Sequence, residues 1–318
     1  MEKAIEYKGG SLSRIYKLES GRVRKEVSIH ENIEYGYQRW YSQLKKLQRY
    51  NVLFPGIFPN IYGFGVDNGV AFYDMEFIEG VTGYEFLSSE NADTEIRRFF
   101  SQFRNAMTRM HHQTIPSNST ALTLYYDSEI RKTIEYCYKS YAFAKLFRSP
   151  MVRHYGIELP SFISQTSIFQ EELSSNYLEN TETFTHGNLT LENLIYNRES
   201  RKITFIDPYD ETIIDSRLCD YSQILQSCNS NYELLNAGGD IANVSPGMSK
   251  FNILFKEYLQ NTFASDERSL KAIDLLEISQ FIRMLPFKLE AGKTDKAIFF
   301  YCYASKLLCD YKVKWNLR

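Results

Sequence analysis

Two stretches of the chain carry residue types that could do chemistry. The first runs Thr185-His186-Gly187-Asn188-Leu189-Thr190-Leu191-Glu192-Asn193-Leu194, and the second Ile203-Thr204-Phe205-Ile206-Asp207-Pro208. Residues 194–196 and 203–206 read as short strands joined by the polar turn 197–202. Asn193 therefore precedes one strand of a hairpin, and Asp207 projects from the end of the other. An amide carbonyl and a carboxylate brought together at a hairpin's open end are hard oxygen ligands suited to Mg²⁺. That ion takes one or two protein ligands and leaves its other positions to water and phosphate oxygens. Asn188 sits on the polar loop five residues before Asn193.

These residues need a frame to hold them. Residues 13–18 and 23–29 are short apolar-rich runs separated by Glu19-Ser20-Gly21-Arg22, a hairpin-type connection. A possible first strand at 4–7 leads into the flexible Tyr7-Lys8-Gly9-Gly10-Ser11. Over 38–47 the spacing of Trp40, Tyr41, Leu44 and Leu47 predicts a helix. Phe54-Pro55 and Phe58-Pro59 punctuate the chain, and 61–65 and 70–77 follow as strands around an Asp67-Asn68-Gly69 turn. Beyond residue 80 the pattern turns helical. Ile96, Phe99, Phe100, Phe103, Met107 and Met110 form one apolar stripe, and 129–143, 252–260, 270–285 and 297–308 also read as helices. The hairpin at 194–206 is the one β-like island expected there.

Composition narrows the function classes. The chain has 318 residues, with 37 Lys and Arg against 39 Asp and Glu, a net charge of −2 that gives no reason to expect nucleic acid as partner. The 16 Gly and 8 Pro are too few for a disordered or collagen-like chain. Its five cysteines form no CxxC pair, which argues against a zinc site or a disulfide framework and fits a reducing compartment. The first ten residues lack an apolar signal core, and no apolar run is long enough to span a membrane. A cytoplasmic protein without membrane insertion is expected.

The block from His186 to Asp207 resembles the catalytic centre of the aminoglycoside phosphotransferase and choline kinase family. That family's pattern is H-G-D-L-x-x-x-N, a hairpin, then I-D, and His186, Gly187, Leu189, Asn193, Ile206 and Asp207 match it. Asp215-Ser216-Arg217-Leu218-Cys219-Asp220-Tyr221 is similar to the family's opening of the next helix. The wording H-G-x-L-T-L-E-N-L with I-D-P looks most like kinase-like proteins of bacterial capsule and surface-polysaccharide clusters. The resemblance implies an α+β, bilobal protein-kinase-like fold. Residues 1–79 would form a small antiparallel β-sheet lobe with one main helix, covering the nucleotide, and 80–318 a larger helical lobe with the catalytic loop.

The same resemblance implies roles. Met75-Glu76-Phe77-Ile78-Glu79-Gly80 would be the hinge, with the Glu76 carbonyl and the Ile78 N–H on the adenine edge. Gly9, Gly10 and Ser11 would cover the phosphates, and Lys25 would reach them, although a one-residue slip of the strand would put Arg24 in its place. Asn193 and Asp207 would hold Mg²⁺ beside ATP, and His186 and Asp220 would support the loop. The acceptor would be a hydroxyl of a small molecule, such as a sugar or surface-polysaccharide precursor. A net charge of −2 leans it towards a neutral or anionic compound. Biosynthetic-cluster proteins are the partners such a setting suggests.

Two positions depart from the pattern. Asn188 stands where the family has its catalytic Asp, and an amide cannot take a proton. A slow kinase, an inactive nucleotide-binding pseudokinase that scaffolds a biosynthetic partner, and an Asp→Asn replacement made to trap a complex all stay open. The glutamate that pairs with the strand lysine is also missing, with Gln43 near its place and Glu34 further off. His111 and His112 point about 100° apart on a helix and make no joint metal site. Arg283, Lys288 and Lys293 read as a solvated face, with an acceptor pocket for an anionic or sugar-phosphate substrate as the alternative.

Overall fold

The structure, a computed structural model, describes residues 3–7, 13–31, 33–116, 118–178, 182–209 and 212–317. Gly9, Gly10 and Ser11 lie outside the described residues. Five strands, β1 (Lys3–Tyr7), β2 (Arg14–Leu18), β3 (Arg22–Ser28), β4 (Ile61–Asp67) and β5 (Val70–Glu76), form an antiparallel sheet in the order β1-β2-β3-β5-β4. Alternation in β3 buries Val23, Lys25 and Val27 and leaves Arg24 and Glu26 on the other face. Lys25 lies opposite Ile15 and Tyr73, while Arg24 lies opposite Asp74. Arg24 is tied to Asp74 by two bonds, Nε to Oδ1 at 2.6 Å and Nη2 to Oδ2 at 2.8 Å. The lysine is therefore the inward cation of this strand.

Helix α1 (Arg39–Leu53) follows β3 and is entered through a π-helical turn, Glu34–Gln38. It runs six residues past the expected end, to the Phe54-Pro55 punctuation, burying Trp40, Leu44, Leu47 and Tyr50. Proline cannot supply the N–H that another turn would need.

Past residue 80 come β6 (Val81–Thr82), α2 (Gly83–Ser88) and α3 (Asp93–His111), then α4 (Ala121–Tyr125), α5 (Lys132–Tyr138) and α6 (Tyr141–Leu146). Next are β7 (Met151–His154), β8 (Ile157–Pro160), α7 (Thr166–Asn176), β9 (Leu194–Asn197) and β10 (Lys202–Phe205). The chain closes with α8 (Arg217–Cys228), α9 (Tyr232–Ala237), α10 (Pro246–Thr262), α11 (Glu267–Arg283), α12 (Leu285–Glu290) and α13 (Thr294–Lys314). Two β features correct the expectation of a single island. β6 joins β9 and β10 in a three-stranded sheet, and β7 and β8 form a hairpin of their own. The expected helix at 129–143 is three pieces, a π-helical turn Tyr126–Arg131 followed by α5 and α6.

The described fold is α+β, with an antiparallel sheet at its start and a mostly helical remainder. Contacts divide the chain into two compact units. One comprises Met1–Gln113, His186–Thr212 and Val244–Phe251, and the other Thr114–Thr185, Ile213–Asn243 and Asn252–Arg318.

In the first unit, aromatic rings lock the β9–β10 hairpin to α3. Phe99 lies 5.1 Å from Tyr196 and 5.7 Å from Phe251, and Phe103 lies 6.2 Å from Phe205. Phe99, Phe103 and Phe205 are fully buried, and each contributes about 1.5–3 kcal/mol by leaving water. This packing fixes the hairpin whose ends carry Asn193 and Asp207. Among the described residues no helix is long and apolar enough to cross a membrane.

Candidate active site

The loop before β9 is held by both backbone and side-chain bonds. Asn188 O accepts from Thr190 N at 2.9 Å and from Asn193 Nδ2 at 2.7 Å. Ile206 N donates to Asn193 O at 2.9 Å, closing the hairpin's open end. His186 is fully buried and sits between two rings, stacked on Phe58 and edge-on to Phe205. Its Nδ1 accepts from Asn188 N at 3.2 Å, so its Nε2, 2.9 Å from Ile206 O, is the donor there. With both nitrogens on backbone groups, this histidine braces the loop. Gly187 has φ +80°, and a side chain there would meet Tyr209 O and Thr212 at 2.5 Å, so the position admits glycine alone.

Asp207 follows β10 in the left-handed region at φ +57°, a conformation that Asp tolerates better than most residues. The turn aims its carboxylate at β3. Lys25 Nζ donates to Asp207 Oδ1 at 2.5 Å and to Gln43 Oε1 at 2.6 Å. Gln43 Nε2 in turn donates to Asp207 Oδ1 at 2.9 Å and to Pro208 O at 3.0 Å, and Tyr73 OH donates to Gln43 Oε1 at 2.9 Å. The lysine side chain is only 4% exposed, whereas the aspartate side chain is 44% exposed. Crowding around Asp207 works to raise its carboxyl, but the charge and hydrogen bond of Lys25, the bond from Gln43 and the charge of Arg39 outweigh it. The carboxyl is held below its ordinary value. Burial pushes the Tyr73 hydroxyl well up, and the Asp207 charge adds to that, so it stays a neutral donor.

Lys25, Asp207 and Asn188 line one cleft together with Gln43, Trp40, Arg39 and Tyr209. Asn193 does not line it. It stands behind Asn188, and because its Nδ2 is bonded to the Asn188 carbonyl, its Oδ1 is left as a free acceptor among the described residues. Asn193 Oδ1 and the Asp207 oxygen that Lys25 does not hold are each the kind of hard oxygen that Mg²⁺ takes. At the expected hinge, Glu76 N donates to Asn60 O at 2.8 Å, and the Ile78 N–H donates to no described residue. That N–H can take an adenine acceptor.

Asp220 lies in the first turn of α8 and is fully buried. Ser216 caps that helix by accepting from Leu218 N at 3.1 Å. Arg283 corrects another expectation. It is half-buried, donating from Nε to Glu129 Oε2 at 2.5 Å and from Nη1 to Gln280 Oε1 at 2.9 Å, and so is no part of a solvated face.

No protein-family profile matches the chain, and no curated protein does. Among solved structures it is similar to the crystal structure of aminoglycoside-3'-phosphotransferase of type VIII. The match has a TM-score of 0.50 and 11% sequence identity, over 87% of this chain and 92% of that one. The chain has the aminoglycoside phosphotransferase fold. The strand that carries Lys25, the strand that ends at Glu76 and the β9–β10 hairpin follow one another in that order along the chain.

Three cleft residues, Trp40, Arg39 and Tyr209, carried no site role in the sequence, and neither did Tyr73, which supports the cleft through Gln43. Trp40 donates from Nε1 to Lys25 O at 3.3 Å, and the Arg39 guanidinium lies 4.8 Å from the Tyr209 ring. The signal for the first two is present in the sequence, since Arg39 and Trp40 fall one turn before Gln43 on a predicted helix. Tyr73 becomes visible only through its pairing with Lys25.

Proposed function

We propose that the protein is an ATP- and Mg²⁺-dependent phosphotransferase acting on a hydroxyl of a small molecule, a sugar or surface-polysaccharide precursor. The observation that carries this reading is the convergence of Lys25, Asp207 and Asn188 on one cleft. Residues 1–79 act as the nucleotide-covering lobe, and 80–318 as the lobe that carries the catalytic loop. The Glu76 carbonyl and the Ile78 N–H take the adenine edge, and Gly9, Gly10 and Ser11 are the residues assigned to the phosphates.

In this reading Lys25 holds the α- and β-phosphates with a cation already positioned by Gln43. Asn193 Oδ1 and Asp207 hold Mg²⁺, which when bound neutralises charge on the phosphate oxygens. Asn188 faces the acceptor and orients its hydroxyl by hydrogen bonding. The acceptor oxygen bonds to the γ-phosphorus as the bond to the β,γ-bridging oxygen breaks, ADP leaves, and the hydroxyl proton goes to water. An amide cannot accept that proton, so about 10²–10⁴-fold of general-base assistance is missing, and the enzyme is slow. His186 and Asp220 support the loop without touching substrate. The five free cysteines suit the cytoplasm, where ATP is available.

The second reading, a pseudokinase that holds nucleotide and scaffolds a biosynthetic partner, is favoured by the same Asn188 and by Gln43 in the place of a glutamate. One substitution separates the two. Asn188→Asp should raise ATP turnover on a panel of sugars by two to four orders of magnitude. Continued silence with nucleotide still bound supports the scaffold. If calorimetry finds no Mg²⁺-ATP binding, and Asp207→Ala changes nothing, both readings are lost.

A further inference from the structure

The helical unit contains a second cavity, bounded by α8, α10, α11 and α13, with a volume of about 420 Å³ and a mouth open to solvent. Its construction is asymmetric. The floor is apolar and buried, with Leu225, Leu259, Ile273 and Ile278, while the rim carries the exposed Lys256, Asp310 and Lys314. One charged group belongs to the floor. Glu277, on α11, is 4% exposed, yet it lines the cavity.

Two of the three rim charges are already matched by opposite charges. Lys314 Nζ lies 2.6 Å from Asp274 Oδ2, which also accepts from Trp315 Nε1 at 2.8 Å, and Asp310 is paired with Lys306. Glu277 has neutral donors alone. Its Oε1 accepts from Ser230 Oγ at 2.6 Å and from Asn229 Nδ2 at 2.9 Å, and its Oε2 accepts from no described residue. Lys256 reaches it only indirectly, bonding Asn229 Oδ1 at 2.6 Å. A carboxylate buried without a cation is costly unless something supplies the opposite charge. Burial raises this carboxyl to about 7, so near neutral pH it is balanced between charged and uncharged forms. An apolar chamber of this size is what a small ligand fills, and a lone carboxylate on its floor selects the sign of that ligand.

We propose that this cavity binds a small organic ammonium compound with an apolar arm, the ammonium on Glu277 and the arm against Leu225, Leu259 and Ile273. The site is separate from the phosphotransfer reading, and its test reads binding alone. Calorimetry on the full chain compares hexylammonium, hexanol and hexanoate, three probes with one arm and different heads. Hexylammonium should bind at least tenfold tighter than hexanol at pH 8, and hexanoate should not bind. Glu277→Gln keeps an acceptor for Ser230 and Asn229, and it should bring hexylammonium down to the level of hexanol while hexanol is unchanged. Equal affinity for amine and alcohol, amine affinity unaffected by the substitution, or no binding of any probe would overturn the proposal. Should that variant not fold, the wild-type protein decides. Hexylammonium must weaken at least fivefold from pH 8 to pH 5.5 while hexanol holds constant, and a flat amine profile refutes the site.

Discussion

Gln43 bonds Asp207 through its Nε2 at 2.9 Å while its Oε1 receives Lys25 at 2.6 Å. An amide can do both at once, because it carries a donor and an acceptor on one carbon. A glutamate there could serve Lys25 but would set a second carboxylate against Asp207. Glutamine thus allows the lysine and the aspartate to close on each other directly.

Gln43→Glu replaces that donor with a like charge. Without ligand the variant should lose about 1–3 kcal/mol, the cost of breaking a hydrogen bond and opposing two carboxylates. Mg²⁺-ATP should restore part of the loss, since a cation between the carboxylates relieves them. Thermal melts with and without Mg²⁺-ATP provide the check, and an unchanged melting temperature in both would count against the pairing.

The lowered Asp207 carboxyl gives a pH signature. A depressed carboxyl adds stability that is fully present above its ordinary value of 3.8 and is lost as pH falls through the folded value. The melting temperatures of wild type and Asp207→Asn should therefore differ by a constant amount above about pH 5 and begin to converge only as the pH falls below about 4. Asparagine is the right replacement, because it also tolerates φ +57°.

Glu277 has the opposite sign. Its carboxyl is raised from 4.5 to about 7, so the folded state binds the extra proton, and stability falls as pH rises between these values. The charged groups around it are Asp274, which raises the carboxyl, and Lys256, which lowers it, with the Cys228 and Tyr303 side chains close by and uncharged. Urea titrations from pH 4 to pH 8 should show a decline of at most about 3 kcal/mol that Glu277→Gln flattens.

Gly187 and Gly156 form a matched pair of positions, both at φ +80°. An alanine Cβ at 187 would meet Tyr209 O and Thr212 at 2.5 Å, while at 156 nothing lies within 4 Å. Gly156→Ala should cost about 1 kcal/mol of backbone strain, and Gly187→Ala at least about 2 kcal/mol more. Equal destabilisation in chemical denaturation would show that the loop at 187 yields to the intruding methyl.

Much of this was legible in the sequence, for identifiable reasons. The strands around Lys25 and the apolar stripe on α3 follow from alternation and helical spacing, and Asn193 and Asp207 from their places at the ends of one hairpin. The choice between Arg24 and Lys25 was not, because alternation in one strand does not say which face is inside. Pairing of Arg24 with Asp74 and of Lys25 with Tyr73 decides it, and both partners lie some fifty residues away. The β7–β8 hairpin escaped notice because Met151–His154 and Ile157–Pro160 are four residues each, too short for a period to show. The double bonding of Gln43 rests on which way an amide faces, and no sequence pattern encodes that.

Helix α1 is fastened along its length: Trp40 to Lys25 O, Gln43 to Asp207 and Pro208 O, and Lys46 to Tyr209 O. A fourth tie, Phe205 N to Ile57 O, holds the segment that leaves the helix. Swinging α1 outward would break at least three of these bonds together, about 3 kcal/mol at a net 1 kcal/mol each, which leaves the displaced form below about 1% of molecules. An effector acting through this helix would have to undo several fastenings in one step. The protein is therefore built as a switch jammed in one position.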